Sequence, residues 1–229
     1  MIVNEKMYQL GSVRSAIREL FEYGKKRAEI VGAENVYDFS IGNPSIPAPA
    51  IVNDTIRELT RSLDSVSLHG YTSAQGDAET RQAVADYLNK THGTNFNADN
   101  FYMTMGAAAS LSLCFKSLTT SDEDEFIVIA PFFPEYSVFI ASAGAKPVVV
   151  PPDTENFQID FGELETRISK HTKGIVINSP NNPSGAVYSA DTINRLASLL
   201  EQKQKEYGTQ IFIIADEPYR EIAYDGIEV

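Results

Sequence analysis

The sequence predicts an α/β protein, a mainly parallel, doubly wound sheet with helices on both faces. Three observations lead there. From residue 100 onward, apolar strand-like runs alternate with helical stretches. The connections between them are short, which calls for βαβ crossovers. The runs are uninterrupted rather than alternating: Ile211-Phe212-Ile213-Ile214-Ala215 reads as a strand buried on both faces.

In chain order, the spacing of Val13, Ile17, Leu20, Phe21, Ala28 and Val31 predicts an amphipathic helix over 12–31, with Ser12 as N-cap and Gly24 weakening its middle. An extended piece over 37–41 leads into Gly42-Asn43-Pro44-Ser45-Ile46-Pro47-Ala48-Pro49, where three prolines impose an irregular crossing segment. A helix is expected over 50–63 and a loop over 67–76. Asp77 then opens a helix to about residue 90, with Ala83, Val84, Tyr87 and Leu88 facing inward and His92-Gly93 as its stop. Beyond it, strands are expected at 101–105, 126–130, 147–150, 174–178 and 210–215. The helices between them fall at 107–118, 134–143, 161–169 and 189–207. No repeat or low-complexity linker interrupts the series.

The 229 residues carry a formal charge of −12, which disfavours nucleic acid and anionic membrane as partners. Part of that charge, Asp122-Glu123-Asp124-Glu125, reads as a solvated turn. The single cysteine, Cys114, excludes an intrachain disulfide and sits in an apolar stretch, so a buried structural thiol is expected. His69, His92 and His171 show no ligand spacing, and no metal site is expected. With no signal pattern and no apolar run of membrane-spanning length, a soluble cytoplasmic protein is expected.

Ligands of open α/β sheets bind at the carboxyl ends of the strands, and four unusual segments fall there. Gly106-Ala107-Ala108-Ala109 can offer free N–H groups to a phosphate at a helix N-terminus, with Ser110 adding a hydroxyl, or serve as a tight turn. Phe132 and Phe133, between Pro131 and Pro134, suit either a stacked planar ligand or a hydrophobic lid. Asn178-Ser179-Pro180-Asn181-Asn182-Pro183-Ser184-Gly185 is a turn-rich loop in which Asn182-Pro183 is a candidate cis bond. Asp216, at the mouth of the last strand, can pair with a cationic ring nitrogen, with Tyr219 close behind. One ligand satisfies all four: pyridoxal 5′-phosphate, with its phosphate, planar ring, polar substituent and basic ring nitrogen. A dinucleotide is less apt because no G-x-G-x-x-G follows the strands, and no nucleotide-triphosphate loop is present.

Taken in order, Ile41-Gly42-Asn43-Pro44, Tyr71 to Gly76 with Arg81 behind it, Gly106-Ala107-Ala108, Pro131-Phe132-Phe133-Pro134-Glu135-Tyr136, Asn181-Asn182-Pro183-Ser184-Gly185 and Asp216-Glu217-Pro218-Tyr219 resemble the class I/II aminotransferases of fold type I. The resemblance runs over nearly the whole chain. It implies a pyridoxal-phosphate enzyme that moves an amino group between an amino acid and a 2-oxo acid. Residues 1–48 would contribute to a small domain and 49–229 would form the large cofactor-binding domain.

By the same resemblance, Asp216 would hold the pyridine nitrogen protonated and Tyr219 and Asn182 would bond the ring 3′ oxygen. Gly106, Ala107 and Ala108 would bind the phosphate through their backbone, and Phe133 would stack on the ring. Gly42 would approach the substrate carboxylate. Tyr71 would reach the phosphate of a neighbouring subunit, which implies a homodimer with shared sites. The family's Schiff-base lysine has no counterpart here, since the last lysine is Lys205 inside a predicted helix. The chain is therefore expected to be an N-terminal portion of a longer enzyme, inactive alone. A lyase or decarboxylase of the same fold, or a non-catalytic cofactor-binding module, remain as alternatives.

Overall fold

The computed structural model describes residues 2–12, 16–42 and 46–229. Its contacts separate two units, Met1–Tyr71 and Thr72–Val229. The first is helical: α1 Glu5–Ser12, α2 Ala16–Val31, α3 Ala50–Ser62 and α4 Ser65–His69. The helix expected over 12–31 is thus shorter at its start. Ser12 ends α1 instead of capping α2, because its hydroxyl donates to the Tyr8 carbonyl at 2.6 Å. Val13 lies outside the described residues. On α2 the inward stripe narrows to Phe21, Gly24, Ala28 and Val31, all half-buried, while Ile17 and Leu20 are exposed. Gly24 sits within this helix against Asp38, whose carboxylate would lie 3.1 Å from an added Cβ. The short helix α4, capped by Asp64, takes up the start of the loop expected at 67–76.

The second unit contains α5 Ala78–His92, α6 Ala107–Leu118, β1 Glu125–Ile129, α7 Glu135–Ala143, β2 Lys146–Val150, α8 Phe161–Arg167, β3 Thr172–Asn178, α9 Ala190–Tyr207 and β4 Phe212–Asp216. The sheet runs β2-β1-β3-β4 and every pairing is parallel. Helix ends follow local chemistry. Asp77 accepts from Thr80 N and Ser189 from Thr192 N, whereas Gly93 and Gly208 close α5 and α9 in the left-handed conformation.

Alternate residues of the strands feed opposite faces. Phe126, Val128, Val176 and Ile214 pack with α6 and α7 around Phe115, Tyr136 and Ile140. Ile127, Ile129 and Ile175 pack with α8 and α9 around Leu164, Leu196 and Leu200. The helices therefore cover both faces, as the doubly wound pattern requires. Pro147 is tolerated because β2 is an edge strand.

Several expectations are corrected. Residues 101–105 form no strand. A ladder needs a partner roughly 4.8 Å away, and a cavity of about 720 Å³, walled by Tyr102, Thr104, Leu113, Cys114 and Phe212, lies between this segment and β4. For the same reason β4 is not covered on both sides: Phe212 and Ile213 are 44% and 40% exposed. Cys114 faces that cavity and is exposed rather than buried. On α5 the buried residues are Arg81 and Ala85, while Ala83 and Tyr87 are exposed. The Arg81 guanidinium turns inward to the carbonyls of Gly76 (3.3 Å) and Ala98 (2.5 Å), so it ties two loops together.

The acidic turn at 122–125 is not simply solvated. Asp124 is buried and accepts from Thr120 N at 2.6 Å and Ser121 N at 3.0 Å, with Lys173 Nζ at 3.7 Å. Burial pushes its pKa up, but the backbone donors and the Thr120 hydroxyl outweigh this and hold it below the ordinary carboxylate value. A depressed folded pKa stabilises above the unfolded value of about 3.9, and that contribution is lost as pH falls through the folded value. Asp124→Ala is expected to cost about 1–3 kcal/mol at pH 7. The deficit should shrink below about pH 4; urea unfolding of both proteins at neutral and acid pH measures it, and a pH-independent deficit would contradict the assignment.

Candidate functional site

The parallel strands end on one side, and β3 and β4 finish in register, with Asn178 opposite Asp216. A cavity of about 230 Å³ opens there, lined by Ala107, Ala108, Phe133, Asn182, Asp216 and Tyr219 among others. Six of the nine residues singled out from the sequence thus meet in one place.

The carboxylate is held from below. Tyr136, on the first turn of α7 and 2% exposed, donates its hydroxyl to Asp216 Oδ2 at 2.6 Å. Burial, together with the bond to this carboxylate and its charge, pushes the phenol well above its ordinary pKa, so Tyr136 stays a neutral donor. Among the described residues no hydrogen bond reaches Asp216 Oδ1, which leaves one acceptor for a ligand. Phe133 meets the Tyr136 ring edge-on, with centroids 5.6 Å apart, and lines the cavity. Phe132 instead lies parallel to Tyr136 against the core, at 6.4 Å, so only one of the two aromatics lines the site.

On the opposite wall, the loop after β3 separates the roles of its two asparagines. Asn181 is buried and accepts from Ser184 N and Ser184 Oγ at 3.1 and 2.8 Å. Asn182 lines the cavity with its side-chain amide unbonded among the described residues. The peptide bonds before Pro131, Pro180 and Pro183 are cis; of these, Asn182-Pro183 was legible as a candidate.

At the third wall, Gly106 precedes α6 with φ +89°, a region open to glycine. The N–H groups of Ala109 and Ser110 turn back to the Gly106 carbonyl. Those of Ala107 and Ala108 have no acceptor among the described residues, and they lie at the positive end of the helix dipole. Ser110 is not part of this wall. Its hydroxyl is bonded to Thr104 Oγ1 at 2.6 Å and lines the larger cavity beside β4.

That larger cavity brings no comparable set of free donors together. Its Thr104 and Ser110 hydroxyls satisfy each other, and the rest of the lining is mostly apolar. Gly42 and Tyr71 belong to the first unit. Both are exposed, and a Cβ added at Gly42 would meet nothing within 4 Å.

Two residues with evident roles had none assigned from sequence. The sequence marks Tyr136 only as part of a motif, and its place three residues after Phe133 is the available signal. Asn178 reads from sequence as the start of a loop. It is a polar residue ending an apolar strand, 4% exposed.

Comparison with known proteins identifies the family. Residues 33–228 match the family model described as aminotransferase class I and II. An aspartate aminotransferase of Pyrococcus horikoshii is 37% identical over 213 residues, covering 93% of this chain and 50% of that protein. A probable N-acetyl-LL-diaminopimelate aminotransferase of Bacillus subtilis is 31% identical, over 84% and 46% respectively. Among solved structures, an aminotransferase from Eubacterium rectale superimposes with a TM-score of 0.97 at 74% identity, covering all of this chain and 57% of that one. The chain spans about half the length of the curated relatives it matches. It belongs to the class I and II aminotransferases.

Proposed function

We propose that this chain carries the ring- and phosphate-binding part of a pyridoxal-phosphate site in an enzyme that moves an amino group between an amino acid and a 2-oxo acid. One observation carries the reading. Asp216 is fixed on one oxygen by a buried tyrosine, and its cavity also contains an aromatic face, an unbonded amide, a phenol and two free helix N–H groups. That donor and acceptor set matches pyridoxal 5′-phosphate group for group.

When bound, the cofactor supplies an electron sink for negative charge developing at the substrate α-carbon. Asp216 would accept from the protonated ring nitrogen and keep the proton there. Asn182 and Tyr219 would donate to the 3′ oxygen, and Phe133 would pack on the ring and exclude water from it. The N–H groups of Ala107 and Ala108, with Gly106 leading into them, would receive the phosphate, and the helix dipole would add to their attraction. Among the described residues no lysine lines the cavity; the groups that do would bind and orient the cofactor.

Gly42 is assigned to the substrate carboxylate, and Tyr71 to the phosphate of a second subunit in a cytoplasmic homodimer; the exposure of the Tyr71 side chain favours that role. Residues 1–48 are assigned to a small domain and 49–229 to the cofactor domain.

Titration of the chain with pyridoxamine 5′-phosphate in a calorimeter tests the reading. Saturable binding is expected, competed by inorganic phosphate, with pyridoxamine lacking the phosphate at least about tenfold weaker. No saturable binding, or no dependence on the phosphate, overturns it.

A further inference from the structure

We propose that Asn178 is a positioning residue, a buried amide that sets the separation between Asp216 and Asn182 on either side of the bound ring. The inference rests on the cofactor reading above, and it adds a residue that borders the cavity but is given no contact with ring or phosphate in that reading.

The Asn178 side chain spans two elements. Its Nδ2 donates to the Asp216 backbone carbonyl at 2.7 Å, and its Oδ1 accepts from the Asn182 N–H at 2.6 Å. Both partners are backbone groups of fixed polarity, so only one orientation of the amide satisfies them. Aspartate would keep the acceptor but set a second acceptor against the Asp216 carbonyl. Alanine would leave both backbone groups unpaired in a buried place.

The loop beyond Asn178 has no comparable tie to β4. Among the described residues, Asn181 N bonds Ala186 O, Gly185 N bonds Asn181 O, and Ser184 bonds the Asn181 side chain. These bonds close the turn on itself, and its base is anchored by Tyr188 N–H to Ser179 Oγ at 2.9 Å and Gln158 Nε2 to Val187 O at 3.0 Å. Among the described residues its side-chain hydrogen-bond link to the carboxylate strand runs through Asn178. Without that link the tip of the turn can shift on its base and carry the Asn182 amide out of reach of a ring held by Asp216. The phosphate-binding N–H groups, on α6, would not move with it.

The test is a double-mutant cycle on pyridoxamine 5′-phosphate binding. Asn178→Ala and Asn182→Ala are each expected to weaken binding about tenfold, and the double variant no more than about tenfold, because both act through one amide. Affinity for inorganic phosphate should stay within about twofold throughout. In the parent chain, hydrogen exchange should find the Asn182 amide protected. This last measurement needs no variant, so it stands even if Asn178→Ala fails to fold.

Losses that add to about a hundredfold in the double variant, an equal loss for inorganic phosphate, or a rapidly exchanging Asn182 amide each overturn the positioning role while leaving the cofactor reading intact. Failure of the parent chain to bind pyridoxamine 5′-phosphate overturns both.

Discussion

Asp216→Asn is expected to lower the affinity for pyridoxamine 5′-phosphate by about 10- to 100-fold, the effect of removing a charge-assisted hydrogen bond worth roughly 1.5–3 kcal/mol. With its oxygen kept on Tyr136, 2.6 Å away, the amide turns an NH2 donor toward the ligand in place of Oδ1, so the change removes the charge and the acceptor while sparing the Tyr136 bond. Asp216→Ala should cost at least as much binding and also leave the buried Tyr136 hydroxyl unpaired, destabilising the fold by about 1–3 kcal/mol. The pair of variants therefore separates the two duties of the carboxylate. Calorimetric titration beside thermal unfolding reads both. Affinity within about twofold of the parent for the asparagine variant would remove Asp216 from the ring-binding role.

Phe126→Ala is expected to destabilise the chain by about 3–5 kcal/mol. Its ring is fully buried in β1, meets Phe115 edge-on at 5.0 Å, and lies where a Cβ added to Gly174 would come within 3.3 Å of it. With the space so closely filled on both sides, truncation leaves a cavity that the neighbours cannot collapse into. Phe212→Ala, at the exposed rim of the same sheet, should cost under about 1 kcal/mol. Urea denaturation of the two variants compares them directly, and equal losses would mean that the packing at Phe126 is not what stabilises this face.

The parallel sheet is legible because a strand covered by helices on both faces is apolar through its middle, as β1 is over 126–129 and β3 over 174–177. The same rule overstated β4 and residues 101–105. An apolar run reports that a segment is suited to burial, but which neighbour covers it is settled by pairing far along the chain. Helix ends read well where a side chain bonds its own backbone, as at Asp77 and Ser189. They failed at Ser12, where the hydroxyl turned back to a carbonyl one turn earlier.

The cavity walls at Asn182 and Asp216 were accessible because each lies where a strand ends, and Ala107 and Ala108 because small residues open a helix there. Asn178 and Tyr136 were harder to see. Their significance is a distance to a residue 38 or 80 positions away, and periodicity carries no such information. Ser110 shows the converse: a hydroxyl at the right spacing whose partner turned out to be Thr104.

Tyr136 has a consequence for how this protein can change over time. Its ring is packed among the side chains of the α6–α7 face, while its hydroxyl holds Asp216. Substitutions at Phe115, Ile140 or Val128 can thus alter the aim of the carboxylate by repacking one ring, and affinity can drift without any change in a residue that touches ligand. Among the described residues the α8–α9 face has no such lever to Asp216. Leu164, Leu196 and Leu200 answer only to packing, so that side of the sheet is the freer one to vary.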